Sequence, residues 1–168
     1  MKKIEEFYDY ICSFNYGWSD KNGNVYEKIT KDYLNDFILR SKEEVIKSKR
    51  GVCWELVELE REFFENNNIQ YKTLFVHHND DNHFCHTFSV FTLNNKYYWF
   101  EGVLKGKKGI FEFDTLDELL QNVIDNFKYI NLGREYDKEK IEFYNYKKPK
   151  TGFSCLEFFN HCFNSEKL

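Results

Sequence analysis

Apolar side chains recur every three to four positions in several parts of the chain, which is the spacing of one face of an α-helix. The clearest case runs from residue 53 to residue 66, where Leu56, Leu59 and Phe63 form an apolar stripe beside a charged face. The same spacing, together with capping residues, predicts helices over residues 3–14, 31–40, 41–49, 53–66, about 115–127 and from 154 onward.

Between these helices, runs rich in aromatic and β-branched residues are bounded by polar turns, which is the pattern of strands. Strands are expected over residues 69–78, 83–93, 96–101, 110–113 and 140–146, with turns at 79–82 and 94–95. Because the turns are short, the first three strands should form an antiparallel meander that packs on the helix beginning at Cys53. The predicted fold class is α+β, with helices packed on an antiparallel sheet in a single domain of residues 1–168.

Composition and charge argue against several classes of function. The 168 residues carry 24 basic and 28 acidic side chains, a net charge of −4, and no basic face that would bind nucleic acid. No apolar run approaches the roughly 18 residues that a membrane span needs. The N-terminus turns acidic where a signal peptide would be apolar. A cytoplasmic location is therefore expected, with the five cysteines as free thiols.

Three residues have the types and the order of a thiol-based catalytic site. Cys53 stands at the start of the clearest helix, where unpaired N–H groups and the helix dipole favour a thiolate. His86 on the second main strand can exchange the thiol proton, and Glu101 at the end of the third can orient the imidazole. The two are near neighbours on a hairpin if a bulge or a longer turn absorbs a small offset in register.

A purely structural interpretation of the same residues stays open. Cys53 would then be a buried residue at a helix start, His86 a hydrogen-bonded strand residue and Glu101 an exposed strand end. Glu55 speaks against catalysis, because a carboxylate in the first turn of the same helix opposes formation of a thiolate unless it points to solvent.

Three segments resemble the motifs of the transglutaminase-like superfamily of papain-type cysteine enzymes, and small bacterial members in particular. They are Gly51-Val52-Cys53-Trp54, His86-Thr87-Phe88 and Trp99-Phe100-Glu101. The resemblance covers about residues 14–125 and implies a papain-like core. It implies that Cys53 is the nucleophile, His86 the general base and acid, and Glu101 the orienting acid. Asp is more usual at the third position, and the longer Glu can still reach the imidazole.

Acyl transfer also needs hydrogen-bond donors for an oxyanion. The backbone N–H of Cys53 is one candidate, and the indole N–H of Trp18 is another, against the alternative that Trp18 is a core aromatic residue. The resemblance implies a peptide or protein amide substrate and a thioester intermediate, without a cofactor. Water would resolve the thioester in a protease or amidase, and an amine in a transglutaminase. The alternative is a catalytically degenerate scaffold that binds a peptide or a protein partner.

A group of possible zinc ligands competes for His86. It comprises His77, His78, His83, Cys85 and His86. No second pair with ligand spacing exists elsewhere and the group straddles a polar turn, so no bound metal is expected. Strand alternation also places His86 with Phe84 and Phe88, on the face that the helix from Cys53 is expected to cover.

Overall fold

The computed structural model describes residues 1–30, 33–80 and 84–168. In these ranges, helices lie on both faces of an antiparallel sheet. The α-helices in these ranges are α1 (Lys2–Cys12), α2 (Tyr33–Asp36), α3 (Lys42–Ser48), α4 (Cys53–Asn66), α5 (Leu116–Asp125) and α6 (Cys155–Phe163). The strands are β1 (Asn15–Tyr16), β2 (Trp18–Ser19), β3 (Val25–Tyr26), β4 (Arg50–Gly51), β5 (Gln70–His78), β6 (Cys85–Leu93), β7 (Lys96–Glu101), β8 (Gly109–Phe113), β9 (Ile141–Asn145) and β10 (Glu166–Lys167).

The main sheet has the strand order β10-β9-β5-β6-β7-β8, with every neighbouring pair antiparallel. The expected meander of β5, β6 and β7 is confirmed. Asn94 and Asn95 make the turn between β6 and β7 with φ angles of 51° and 61°, a left-handed conformation that asparagine tolerates. β9 and β10 extend the sheet on the other side of β5, so the meander is the centre of a larger sheet.

The two faces of the sheet contact different helices. On one face Phe64 of α4 packs with Phe91 and other aromatic residues of the central strands. On the other face Phe88 and Trp99 pack with Leu119 of α5. The expectation that the helix from Cys53 covers the face of Phe88 is therefore wrong. Alternate residues of β6 point to opposite faces, and the even-numbered ones point to α5.

The helix at 53–66 and the short helix before it form as predicted. Ser41 and Glu44 make the expected capping box at the start of α3. The helix expected over 31–40 is wrong, because α2 covers only Tyr33–Asp36, while residues 31 and 32 lie outside the described residues. Phe37 and the residue after it leave the helix to form β-bridges with distant segments, so tertiary pairing overrides the local helical pattern.

In the described ranges, none of the helices combines the length and apolar character needed to cross a bilayer.

Candidate active site

Cys53 is the first residue of α4 and follows directly on β4. Val52 before it is extended, with φ −91° and ψ 171°, and caps the helix. The first N–H groups of an α-helix have no partner within the helix, so the start of α4 offers donors and a positive dipole end beside the thiol. The Cys53 side chain is nearly buried, with 8 % of the residue exposed.

Glu55 does not point to solvent, in contrast to the alternative raised by the sequence. Its Oε1 accepts a hydrogen bond from Arg40 Nε at 2.8 Å and its Oε2 one from Arg40 Nη2 at 2.8 Å. Oε2 also accepts the N–H of Val52 at 3.2 Å, which caps the start of α4. The Arg40 cation and the capped N–H group therefore balance the carboxylate, so its charge is not left unopposed beside Cys53.

His86 and Glu101 lie together although they come from neighbouring strands. Glu101 Oε2 is 2.7 Å from His86 Nε2. The ladder between β6 and β7 ends at the pair Ser89 and Phe100, and the same register places Phe88, not His86, opposite Glu101. The two side chains are therefore diagonal neighbours on one face, and the length of the Glu side chain spans the offset.

The Glu101 carboxylate is fixed on both of its oxygens. While Oε2 meets the imidazole, Oε1 accepts the backbone N–H groups of Val103 and Leu104, each at 2.8 Å. Only 1 % of Glu101 is exposed, so it is not a solvated strand end. A carboxylate held by two backbone donors has little freedom to rotate, and it holds the ring of His86 in one orientation.

The imidazole of His86 is influenced by both the Cys53 thiol and the Glu101 carboxylate. The thiol of Cys53 raises the pKa of His86 through its charge and side chain, and since Glu101 Oε2 lies 2.7 Å from Nε2, Nδ1 is the nitrogen left for the sulfur. Burial lowers the pKa of His86, but the charge of Glu101 and the hydrogen bonds to Cys53 and Glu101 outweigh it and raise that pKa to about 10. The ring is thus held in its protonated form near neutral pH.

The helix carrying Cys53 packs on one face of the sheet, and strand alternation places His86 with Phe88 on the other face. β6 has no β7 partner before Ser89, so His86 lies beyond the ladder, where the two strands separate. We infer that this separation lets the start of α4 meet the imidazole across the end of the sheet.

Trp18 does not fit the oxyanion role that the sequence suggested. Its indole N–H donates to the carbonyl of Lys28 at 3.0 Å, and the side chain is fully buried. It stacks on Tyr26 with ring centroids 4.3 Å apart, in the same apolar cluster as Cys53. Trp18 is therefore a core residue whose only N–H donor is already used.

Tyr16 is a polar residue near the thiol that the sequence argument passed over, although it belongs to the same Tyr16-Gly17-Trp18 segment. It lies in β1, which pairs in parallel with β4 just before Cys53. Although 42 % of the residue is exposed, desolvation of the hydroxyl raises the pKa of Tyr16, and the charge of Cys53 raises it further. The hydroxyl therefore stays protonated as an O–H donor in the electrostatic field of the thiol.

Gly17 lets β1 approach its neighbours closely. Its φ of +153° is left-handed, and a Cβ there would lie 2.6 Å from the carbonyl oxygen of Tyr26 and 2.9 Å from the side chain of Arg50. Only glycine fits this position. The Arg50 guanidinium donates to the carbonyl of Tyr16 at 2.9 Å, which fixes β1 beside the start of α4.

The possible zinc ligands are partly engaged in other contacts. His78 Nε2 lies 3.1 Å from the carbonyl oxygen of Asp137, and its Nδ1 lies 3.1 Å from Asp80 Oδ2. His86 is bound by Glu101. Across residues 1–30, 33–80 and 84–168, no group of three or more His, Cys, Asp or Glu side chains is placed to hold a metal ion. His83, another of the expected ligands, lies outside the described residues.

A comparison of the sequence with protein-family models gives no match, and a comparison with curated proteins gives none either.

Proposed function

We propose that the protein is a cysteine-nucleophile acyl-transfer enzyme acting on amide bonds of a peptide or protein. The observation that carries this proposal is the buried pair of His86 and Glu101 at 2.7 Å, whose imidazole is also influenced by the Cys53 thiol at the start of α4. A fixed carboxylate, an imidazole and a thiol at a helix start are the three groups that nucleophilic acyl transfer requires.

In this mechanism the Cys53 thiolate attacks the carbonyl carbon of the amide, and its partner is the protonated ring of His86. His86 then gives its proton to the leaving amine as the C–N bond breaks, which leaves a thioester on Cys53. Water or a second amine, deprotonated by His86, attacks the thioester and releases the thiol. The first outcome is hydrolysis and the second is transamidation, and both use the same residues.

The oxyanion of the tetrahedral intermediate needs donors that face the thiol. The backbone N–H of Cys53 is one, and the hydroxyl of Tyr16 is the second in this proposal, in place of Trp18. Because little of the Cys53 side chain is exposed, a slender group such as an amide side chain or an extended backbone is the substrate that suits the site.

The fold is consistent with the transglutaminase-like, papain-type family that the motifs resemble. The chain is α+β, with the thiol at the start of a helix and the histidine and carboxylate on neighbouring antiparallel strands in that order. We propose membership of this family on the strength of that arrangement.

The test is the rate at which iodoacetamide alkylates each cysteine at pH 7, followed by peptide mass spectrometry. We expect Cys53 to react faster than the other four thiols despite its burial, and the advantage to disappear in a His86→Ala variant. Cys12 and Cys85 are the internal controls, since both are more exposed than Cys53. Equal, slow labelling of all five cysteines would contradict the proposal.

Substitution of the nucleophile separates chemistry from binding. Cys53→Ala should abolish amidase or transamidase turnover and leave folding nearly intact, because the change removes only one sulfur atom from the helix start. Glu101→Gln should lower turnover less, since nucleophile and base remain. Turnover that persists in a well-folded Cys53→Ala protein would favour the alternative of a degenerate scaffold that binds a peptide or protein partner.

A further inference from the structure

Glu60 is a second buried carboxyl group close to the candidate active site, and the mechanism above does not use it. It lies seven residues after Cys53 in α4, about two helical turns, so both side chains lie on the same face of the helix. Only 1 % of Glu60 is exposed. A carboxyl group buried to this extent requires either a cation or a hydrogen-bond partner and an uncharged form.

The hydrogen-bond partner of Glu60 is Ser89 of β6. Ser89 Oγ donates to Glu60 Oε2 at 2.6 Å, and the Ser89 side chain is fully buried. Ser89 forms the last pair of the β6–β7 ladder, with Phe100, and beyond it the strands separate towards His86 and Glu101. The Glu60–Ser89 bond therefore joins the helix that carries Cys53 to the point where β6 and β7 stop pairing, next to His86 and Glu101.

The charged groups that face Glu60 are those of the candidate active site itself. Burial raises the pKa of Glu60, and the hydrogen bond from Ser89 lowers it. The charges of Glu101 and Cys53 raise this pKa further, and the charge of His86 lowers it. The net pKa of Glu60 is about 8. Glu60 is thus uncharged below about pH 8, and at higher pH it adds a negative charge that acts on Cys53, about two helical turns away, and on Glu101.

We propose that Glu60 is a positioning residue that, in its uncharged form, fixes the Cys53-bearing helix against the strand junction carrying His86 and Glu101. This inference rests on the proposed function. Ionisation of Glu60 places a second buried negative charge near the thiolate, which repels it and weakens the packing of the helix on the junction. Glu60 then sets the alkaline limit of thiol reactivity.

The test compares wild type with Glu60→Gln, which keeps an oxygen acceptor for Ser89 and cannot ionise. The readout is the rate of alkylation of Cys53 by iodoacetamide from pH 6 to 9.5, measured by peptide mass spectrometry. Below pH 7 the two rates should agree within about twofold, and at pH 9 the variant should react about five to ten times faster than wild type, since one like charge is removed. Glu60→Leu, which cannot bond Ser89, should react more slowly than wild type at neutral pH.

Glu58→Gln is the matched control. Glu58 lies on the same helix and burial raises its pKa also, but it pairs with Arg61 at 3.0 Å. Its alkylation profile should follow that of wild type throughout the pH range.

A second readout does not depend on reactivity. Because the folded protein holds the proton of Glu60 while the unfolded chain releases it at the ordinary value of 4.5, Glu60 makes wild type lose stability as pH rises from about 4.5 to about 8. Glu60→Gln should lack this loss in denaturant unfolding. If wild type and Glu60→Gln show the same pH dependence of stability, Glu60 is ionised and the proposal is overturned.

The remaining outcomes distinguish this inference from the proposed function. If the stability difference appears but the alkylation profiles of wild type and Glu60→Gln coincide, Glu60 is a structural acid only and the positioning role is overturned. If Cys53 of wild type reacts no faster than the other thiols, the proposed function fails and the positioning role fails with it. Divergence of the profiles above pH 8 supports both.

Discussion

Arg40 and Glu55 form a bidentate ion pair, with both hydrogen bonds at 2.8 Å. Glu55 lies two residues after Cys53, the candidate nucleophile. Arg40 also donates to the carbonyl of Arg50 at 2.8 Å and to Ser48 Oγ at 3.1 Å. One side chain therefore connects the end of α3, strand β4 and the first turn of α4. The position of Cys53 depends on this contact as well as on the helix itself.

Arg40→Met should destabilise the protein by about 3–5 kcal/mol, because it leaves the Glu55 carboxylate buried without a cation. It should also slow alkylation of Cys53, since the unpaired charge then acts on the thiol. Denaturant unfolding and the alkylation assay measure the two effects.

Lys47→Met is the matched control for that prediction, since Lys47 is exposed in α3, and it should change stability by less than about 0.5 kcal/mol. A double variant, Arg40→Met with Glu55→Leu, should recover most of the lost stability because no unpaired charge remains. An Arg40→Met protein as stable as Lys47→Met would show that the ion pair does not hold the start of α4.

Glu101→Gln should change how stability depends on pH. In wild type the raised pKa of His86, about 10, means that the folded protein holds a proton that the unfolded chain releases near pH 6.5. The stability from this proton is complete below about pH 6.5 and is lost as pH rises to about 10. Without the Glu101 charge the pKa of His86 falls. The free energy of unfolding of wild type should therefore exceed that of the variant most below pH 6.5, and by progressively less towards pH 10.

The measurement is the free energy of unfolding in denaturant at intervals from pH 6 to 10. Glu135→Gln, which removes an exposed carboxylate, is the control and should follow wild type. A constant difference between wild type and Glu101→Gln over this range would mean that Glu101 does not stabilise protonated His86.

Protein purified without chelators should contain no stoichiometric zinc. His86 would have to give up Glu101 to bind a metal, and both ring nitrogens of His78 already lie within hydrogen-bond distance of oxygen atoms. Elemental analysis measures the metal directly. One zinc per chain that is lost in His83→Ala would overturn this prediction and also the proposed role of His86, since a ring bound to zinc cannot transfer the thiol proton.

Local pattern was sufficient to predict the elements that carry the site. The stripe of Leu56, Leu59 and Phe63 predicted α4, and short turns predicted the hairpins of β5, β6 and β7. It also predicted the strand at 140–146 that forms β9. It did not predict β10, or the pairing of β9 with β5, because β5 lies more than sixty residues earlier in the chain and no local signal marks such a partner. The same limit applies to the helix expected over 31–40, which long-range β-bridges cut short.

Within the site, the predicted pair His86 and Glu101 lies together, while the residues that support the site were missed. Residue type and order singled out Cys53, His86 and Glu101. Arg40 and Glu60 act through partners 15 and 29 residues away, and only the folded chain brings these partners together. Period-two alternation placed His86 on the face of Phe88 correctly but assigned that face to the wrong helix, because a strand pattern does not identify what covers each face.

The last prediction concerns the oxyanion. If the hydroxyl of Tyr16 donates to the tetrahedral intermediate, Tyr16→Phe should slow acylation of Cys53 by about 10²–10³-fold, the usual effect of removing one such donor. It should leave alkylation by iodoacetamide nearly unchanged, because displacement of iodide forms no oxyanion. Release of p-nitrophenolate from p-nitrophenyl acetate measures acylation, and mass spectrometry confirms that the acetyl group is on Cys53. Trp18→Phe, which removes the rival N–H donor, should acylate at close to the wild-type rate, because that N–H already binds Lys28. The reverse order, with Trp18→Phe slow and Tyr16→Phe unimpaired, would assign the donor to Trp18.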